Sequence, residues 1–64
     1  MPEKVDIFVE IIRETERAYL VEDGGDEVWI PKSQCSDIHI QEQEFRNYLQ
    51  CEIPVWLAED KGLI

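Results

Sequence analysis

The chain has 64 residues, with 15 acidic against 6 basic side chains and a formal net charge of -9. That length holds one domain, here taken as 1–64, and a chain so short buries only about 60% of its unfolded surface. Little apolar material is left over to wall a small-molecule cleft, and the six basic residues (Lys4, Arg13, Arg17, Lys32, Arg46, Lys61) are scattered among acids, which argues against direct nucleic-acid binding.

The hydrophobic fraction of 44% is enough for collapse, so disorder is set aside. The opening Met1-Pro2-Glu3-Lys4-Val5-Asp6 lacks the basic-then-apolar order of a signal peptide. The longest apolar runs, Ala18–Val21 and Val55–Ala58, are far short of the ~20 residues of a membrane span. A cytoplasmic protein, monomeric and with no cofactor, is expected.

Val5 to Ile12 predicts a first strand. Val5, Ile7, Val9 and Ile11 alternate onto one face, and Asp6, Phe8, Glu10 and Ile12 take the other. Arg13 to Glu16 is polar and reads as a turn. Arg17 to Glu22 predicts a second strand and Glu27 to Ile30 a third. Between them Asp23-Gly24-Gly25-Asp26 has the glycines that a tight hairpin needs. Pro31 lacks an N–H and must end the third strand or lie at an edge.

Asp37 to Ile40 alternates over a short fourth strand. Residues 45–53 read as a fifth, with Leu49, Cys51 and Ile53 on one face; a helix over Gln41–Gln50 is the competing reading, since Gln, Glu and Arg favour helix. Pro54 suits the first position of a short helix to Lys61, and Gly62 a left-handed stop with Leu63 packing back. Phe8, Tyr19 and Trp29 point away from Ile7, Leu20 and Ile30, so the strands are apolar on both faces. A flat sheet with one wet face does not need that. The fold class expected is therefore α+β, mainly β: a small, curled, barrel-like antiparallel sheet of four to five strands with a short C-terminal helix. Trp29 and Trp56 are expected in or near the core.

The carboxylates gather in groups. Glu22, Asp23, Asp26 and Glu27 surround the predicted hairpin tip, Glu14 and Glu16 sit in the preceding turn, and Asp37, Glu42 and Glu44 form a third group. Side chains on one strand face recur about every 6.6 Å. A curled sheet thus sets carboxylates in rows spaced on the scale of nucleic-acid phosphates. Two readings stand side by side: an acidic surface that keeps the protein soluble, and a mimic of nucleic acid that meets a basic protein surface.

Other constellations are weaker. Asp23 and Asp26 lack the twelve-residue spacing of a calcium loop. Cys35, His39 and Cys51 have no fourth soft ligand and no C-x-x-C pair, so no metal site is expected. A disulfide between the two cysteines is disfavoured in cytosol. Ser33, Ser36, Asp37 and His39 supply triad residue types without a nucleophile elbow, and no enzyme is expected.

Two segments carry a resemblance. Ala18-Tyr19-Leu20-Val21-Glu22-Asp23-Gly24 continuing to Val28-Trp29-Ile30-Pro31-Lys32-Ser33-Gln34, and Ile53-Pro54-Val55-Trp56-Leu57-Ala58-Glu59-Asp60-Lys61-Gly62-Leu63-Ile64, span 29 of the 64 residues. They resemble a group of small proteins of phages and mobile elements, mostly uncharacterised. Within it the chain is similar to phage anti-CRISPR proteins directed against type I-C systems. The resemblance implies binding to the Cascade surveillance complex and blocking of its access to target DNA, by mimicry of DNA. Its shared residues are core and turn types and assign no inhibitory surface. The partner-binding candidates, Glu22, Asp23, Asp26, Glu27, Glu14, Glu16, Asp37, Glu42 and Glu44, come from the charge pattern alone. The alternative function is a structural or accessory interaction module of a phage or mobile element, using its tryptophan-bearing surface.

Overall fold

The structure, a computed structural model, describes residues 3–64; Met1 and Pro2 of the opening stretch lie outside the described residues. Five antiparallel strands form one sheet: β1 (Lys4–Glu14), β2 (Ala18–Asp23), β3 (Asp26–Pro31), β4 (Ser36–Gln43) and β5 (Arg46–Pro54), in the order β3-β2-β1-β5-β4. A short helix, α1 (Val55–Asp60), follows. The mainly-β class and the C-terminal helix match the sequence expectation.

One face of the sheet is the core. Ile7 and Val9 of β1, Tyr19 and Val21 of β2, Ile30 of β3, and Leu49, Cys51 and Ile53 of β5 are buried there with Leu57 and Ala58 of α1. Period-two alternation puts these residues together, because cross-strand partners in register share a face. Ile7 opposes Cys51, Val9 opposes Leu49, and Tyr19 opposes Ile30. Tyr19 is thus a core residue, and Leu20, opposite Trp29, shares the other face. Sequence reasoning grouped Tyr19 with Phe8 and Trp29. The register of the β2–β3 hairpin, two residues between Asp23 and Asp26, is what reassigns it.

β3 and β4 lie at opposite edges of the sheet, yet only five residue steps separate Pro31 from Ser36. Those steps reach roughly 17 Å when fully extended. Four flat inter-strand spacings come to about 19 Å. Part of the link, Lys32–Gln34, is also wound into a 3-10 turn. The sheet therefore has to curl to bring its edges towards each other. The link packs Cys35 on the core, and Lys32 N–H donates to the Arg17 carbonyl at 2.8 Å. Curling stops short of closure, since β3 and β4 do not pair.

A bulge at Ile12 breaks the β1–β2 ladder: Ile11 faces Val21, but Arg13 faces Leu20 and Glu14 faces Tyr19. The extra residue carries β1 through Glu14, where the sequence predicted a turn, and moves Glu14 to the core side. β4 reaches Gln43 and β5 starts at Arg46, so a two-residue turn replaces the competing helix over Gln41–Gln50. β-pairing on both flanks of β5 overrides the helical propensity of its glutamines.

Pro54 is extended and caps α1 from outside rather than occupying its first turn. Gly62 takes a φ of 73° as expected. Its N–H donates to Glu59 and that of Leu63 to Ala58, a Schellman closure that returns Leu63 to the core.

Candidate functional site: the acidic outer face of the sheet

The face opposite the core carries Asp6, Phe8, Glu10 and, past the bulge, Arg13 of β1, Leu20 and Glu22 of β2, Glu27 and Trp29 of β3, and Arg46, Tyr48 and Glu52 of β5, as the ladder registers dictate. This face is not covered. Phe8 is 54% exposed and Trp29 43%, and Trp56 on the helix is 59% exposed. Trp29 and Trp56 are thus outside the core, against expectation. The core volume is filled by aliphatic residues, Cys51 and Tyr19, and the open sheet has no second layer to cover its outer side.

Acids oppose acids across this face. Glu10 of β1 pairs with Glu22 of β2, and Glu22 pairs with Glu27 of β3. Asp6 of β1 pairs with Glu52 of β5. Directly opposed side chains in such ladders have Cβ atoms about 5 Å apart, and like charges there are destabilising. A sheet selected for stability alone would alternate the signs. One counter-charge is nearby: Arg46 Nη1 lies 3.7 Å from Glu10 Oε1. The row ends on an aromatic pair. Tyr48 is the β5 partner of Glu10, and its ring stacks on Phe8 at 5.3 Å with 7° between planes. The result is a ridge of carboxylates beside two stacked rings, with Trp29 near its far edge.

The nine sequence candidates do not form one patch. Glu22 and Glu27 lie on this face, and Asp23 and Asp26 flank the tight turn beside them. Glu14 is at the other end of β2, on the core side, where Lys32 Nζ bonds its Oε2 at 2.6 Å and lies 5.0 Å from the Tyr19 ring centre. Glu14 therefore serves the fold, fastening the link that crosses from β3 to β4. That hydrogen bond holds the Lys32 ammonium above its ordinary pKa. Burial, then the Glu14 charge, raises the Tyr19 hydroxyl. Glu16 lies in the β1–β2 turn. Asp37 is on the β4 edge with a φ of 53°, its carboxylate 3.4 Å from His39 Nε2. Glu42 and Glu44 belong to the β4–β5 tip.

Charge counting along the chain missed Glu10, Asp6 and Glu52. Each is isolated in sequence between apolar or neutral neighbours, and only strand pairing brings them to other acids. The signal that finds them is the two-residue turn at Gly24-Gly25, which fixes the Glu22–Glu27 pairing, together with the ladders on β1.

The remaining chemistry is structural. Ser36 Oγ donates to the Glu52 carbonyl at 3.4 Å and accepts from Lys4 at 3.1 Å, so it is not bonded to His39. Cys35 and Cys51 are free thiols, and Cys35 Sγ donates to the Pro31 carbonyl at 3.5 Å. Among the described residues, no set of His, Cys, Asp and Glu is arranged to hold a metal, and no helix is long and apolar enough to cross a membrane.

Comparison with protein-family models, with curated proteins and with solved structures finds no match.

Proposed function

We propose that this protein is an inhibitor that occupies the basic, DNA-binding surface of a CRISPR–Cas surveillance complex, type I-C Cascade, and so blocks target DNA binding. The observation that carries the reading is the Glu10–Glu22–Glu27 row. Three carboxylates directly opposed on adjacent strands work against the fold, and a partner rich in lysine and arginine relieves that repulsion on binding. Asp23 and Asp26 extend the row around the turn. Arg46 and Arg13 are too few to neutralise the carboxylates of this face; the partner's cations do so, with the carboxylates standing where DNA phosphates would.

The assigned roles are electrostatic. Glu10, Glu22, Glu27, Asp23 and Asp26 act as phosphate surrogates; Phe8, Tyr48 and Trp29 supply apolar contact beside them. No bond is made or broken, and no cofactor takes part. The protein acts in the host cytoplasm, as a monomer.

The test is target-DNA binding by purified type I-C Cascade in the presence of wild type, of Glu10→Gln/Glu22→Gln/Glu27→Gln, and of a control with Glu59→Gln/Asp60→Asn on the helix. The reading expects the control to inhibit like wild type and the triple variant to lose inhibition while staying folded. Equal inhibition by all three removes the row from the mechanism.

A second reading, a structural or accessory module of a phage or mobile element, draws on the exposed Phe8–Tyr48 stack and Trp29. Its binding would be apolar and indifferent to salt, and substitution of Trp29 would weaken it more than loss of the carboxylates.

A further inference from the structure

The two tight hairpins of the sheet are built on the same plan from unlike residues. Each has a two-residue turn with positive φ at both central positions. The β2–β3 turn uses Gly24 and Gly25, at φ 65° and 110°, which glycine adopts without strain. The β4–β5 turn uses Glu44 at 49° and Phe45 at 69°. Both are L-residues with a side chain, and a bulky aromatic there is a genuine outlier that the chain tolerates only where the surrounding ladder imposes it.

Phe45 contributes nothing to the core in return. It is 106% exposed, more than any other large apolar residue among the described ones. The ladder beneath it is regular, with Gln43 opposite Arg46 and Glu42 opposite Asn47, so the ring stands at the end of a stiff hairpin rather than on a loose loop. Glu42, Glu44 and Asn47 line a shallow hollow beside the ring. Strain, full exposure of an aromatic and flanking carboxylates therefore coincide at one point.

We propose that Phe45 is a docking anchor, inserted on binding into an apolar pocket whose rim carries lysine or arginine, on a protein partner. Phe is among the residues enriched at the buried centre of interfaces, where side chains seated in well-packed pockets carry most of the binding energy. Glu42 and Glu44 define the rim: their carboxylates meet cations around the pocket mouth and disfavour a neutral or acidic one. They equally disfavour stacking on a nucleic-acid base, whose phosphates they would repel, and docking on a second copy of this acidic chain. The inference rests on the proposed function for the partner's basic character. It adds a contact separate from the carboxylate row, on a different hairpin.

The experiment compares wild type, Phe45→Ala and Glu44→Asn/Phe45→Gly in two measurements, affinity for purified type I-C Cascade and thermal melting, with sedimentation of the wild type alone. Asn-Gly is the pair this turn geometry prefers. The expected results are a loss of affinity of about tenfold or more for Phe45→Ala, a higher melting temperature for Glu44→Asn/Phe45→Gly than for wild type, and a monomeric wild type. Unchanged affinity of Phe45→Ala, where wild type binds, overturns the anchor. So does an Asn-Gly variant that melts no higher than wild type, because the natural tip would then serve the fold. Dimerisation of wild type that Phe45→Ala abolishes gives the ring to a second copy and overturns the basic pocket. Should wild type not bind Cascade, the functional reading fails on that result, and the melting and sedimentation arms decide the tip by themselves.

Discussion

Glu22 has Glu10 on one side and Glu27 on the other, in register on the same face. Replacing it with Gln removes two like-charge contacts and leaves the side chain's size unchanged. Glu22→Gln is therefore expected to stabilise the fold, by roughly 0.2–1 kcal/mol on the scale of cross-strand pairs, while weakening partner binding. Chemical denaturation checks the first half, and a loss of stability would mean that the carboxylate has a favourable role within the fold. Core residues behave in the opposite way. Leu49 is fully buried between β1 and β4. Leu49→Ala is expected to cost about 2–5 kcal/mol, most of the roughly 3–10 kcal/mol that a domain of this size holds. Circular dichroism should find it largely unfolded at room temperature or melting far below wild type. Tyr19 and Lys32 set the alkaline limit. Both have folded pKa values raised above their ordinary values of 10.0 and 10.5, Tyr19 first by burial and Lys32 first by its bond to Glu14. A raised group gives stability that is fully present below its unfolded pKa and is lost as pH climbs through the folded one. Urea midpoints should therefore hold up to about pH 9 to 10 and fall as pH climbs above about 10, and Tyr19→Phe should fall less than wild type.

The elements differ in how far the sequence declares them. The place of the β2–β3 hairpin was legible, because Gly24-Gly25 between aspartates calls for a tight turn, but its register was not, since Tyr19 pairs with Ile30 and shares the core face instead of the face of Trp29. Alternation likewise gave β1 and the core face of β5, and Gly62 gave the end of α1. The β4–β5 turn was not legible, since Glu44-Phe45 breaks the rule that positive φ goes to glycine or asparagine, and the fourth strand was read as ending at Ile40. The Ile12 bulge also leaves no mark in the residues around it. It moved Glu14 from the proposed acidic surface to a salt bridge in the fold. Of the candidate site, the hairpin acids were found by local charge, but Glu10, Asp6 and Glu52 were not, because their neighbours are supplied by other strands. The two turns offer a direct contrast. Gly25→Ala forces an L-residue to φ 110° and is expected to destabilise by about 1 kcal/mol or more, whereas glycine introduced at Phe45 relieves the same constraint. Paired melting curves should move in opposite directions.

At the scale of the molecule, a net charge of -9 on 64 residues adds to the local repulsions. Salt screens such exposed charges over a Debye length of about 10 Å at 0.1 M. The same screening is expected to act with opposite sign on folding and on association. It raises the melting temperature of the free protein and weakens its grip on a basic partner. Curling of the sheet, imposed by the short link from Pro31 to Ser36, keeps the core on the inner side under α1 and turns the carboxylate row outward. The measurement that tests the central claim most directly is the affinity of wild-type protein for purified type I-C Cascade as a function of salt, with target DNA as competitor. The account predicts tight binding at low salt that weakens steeply as salt rises, with protein and DNA excluding each other. Binding that is indifferent to salt, or simultaneous occupancy by both, would contradict it.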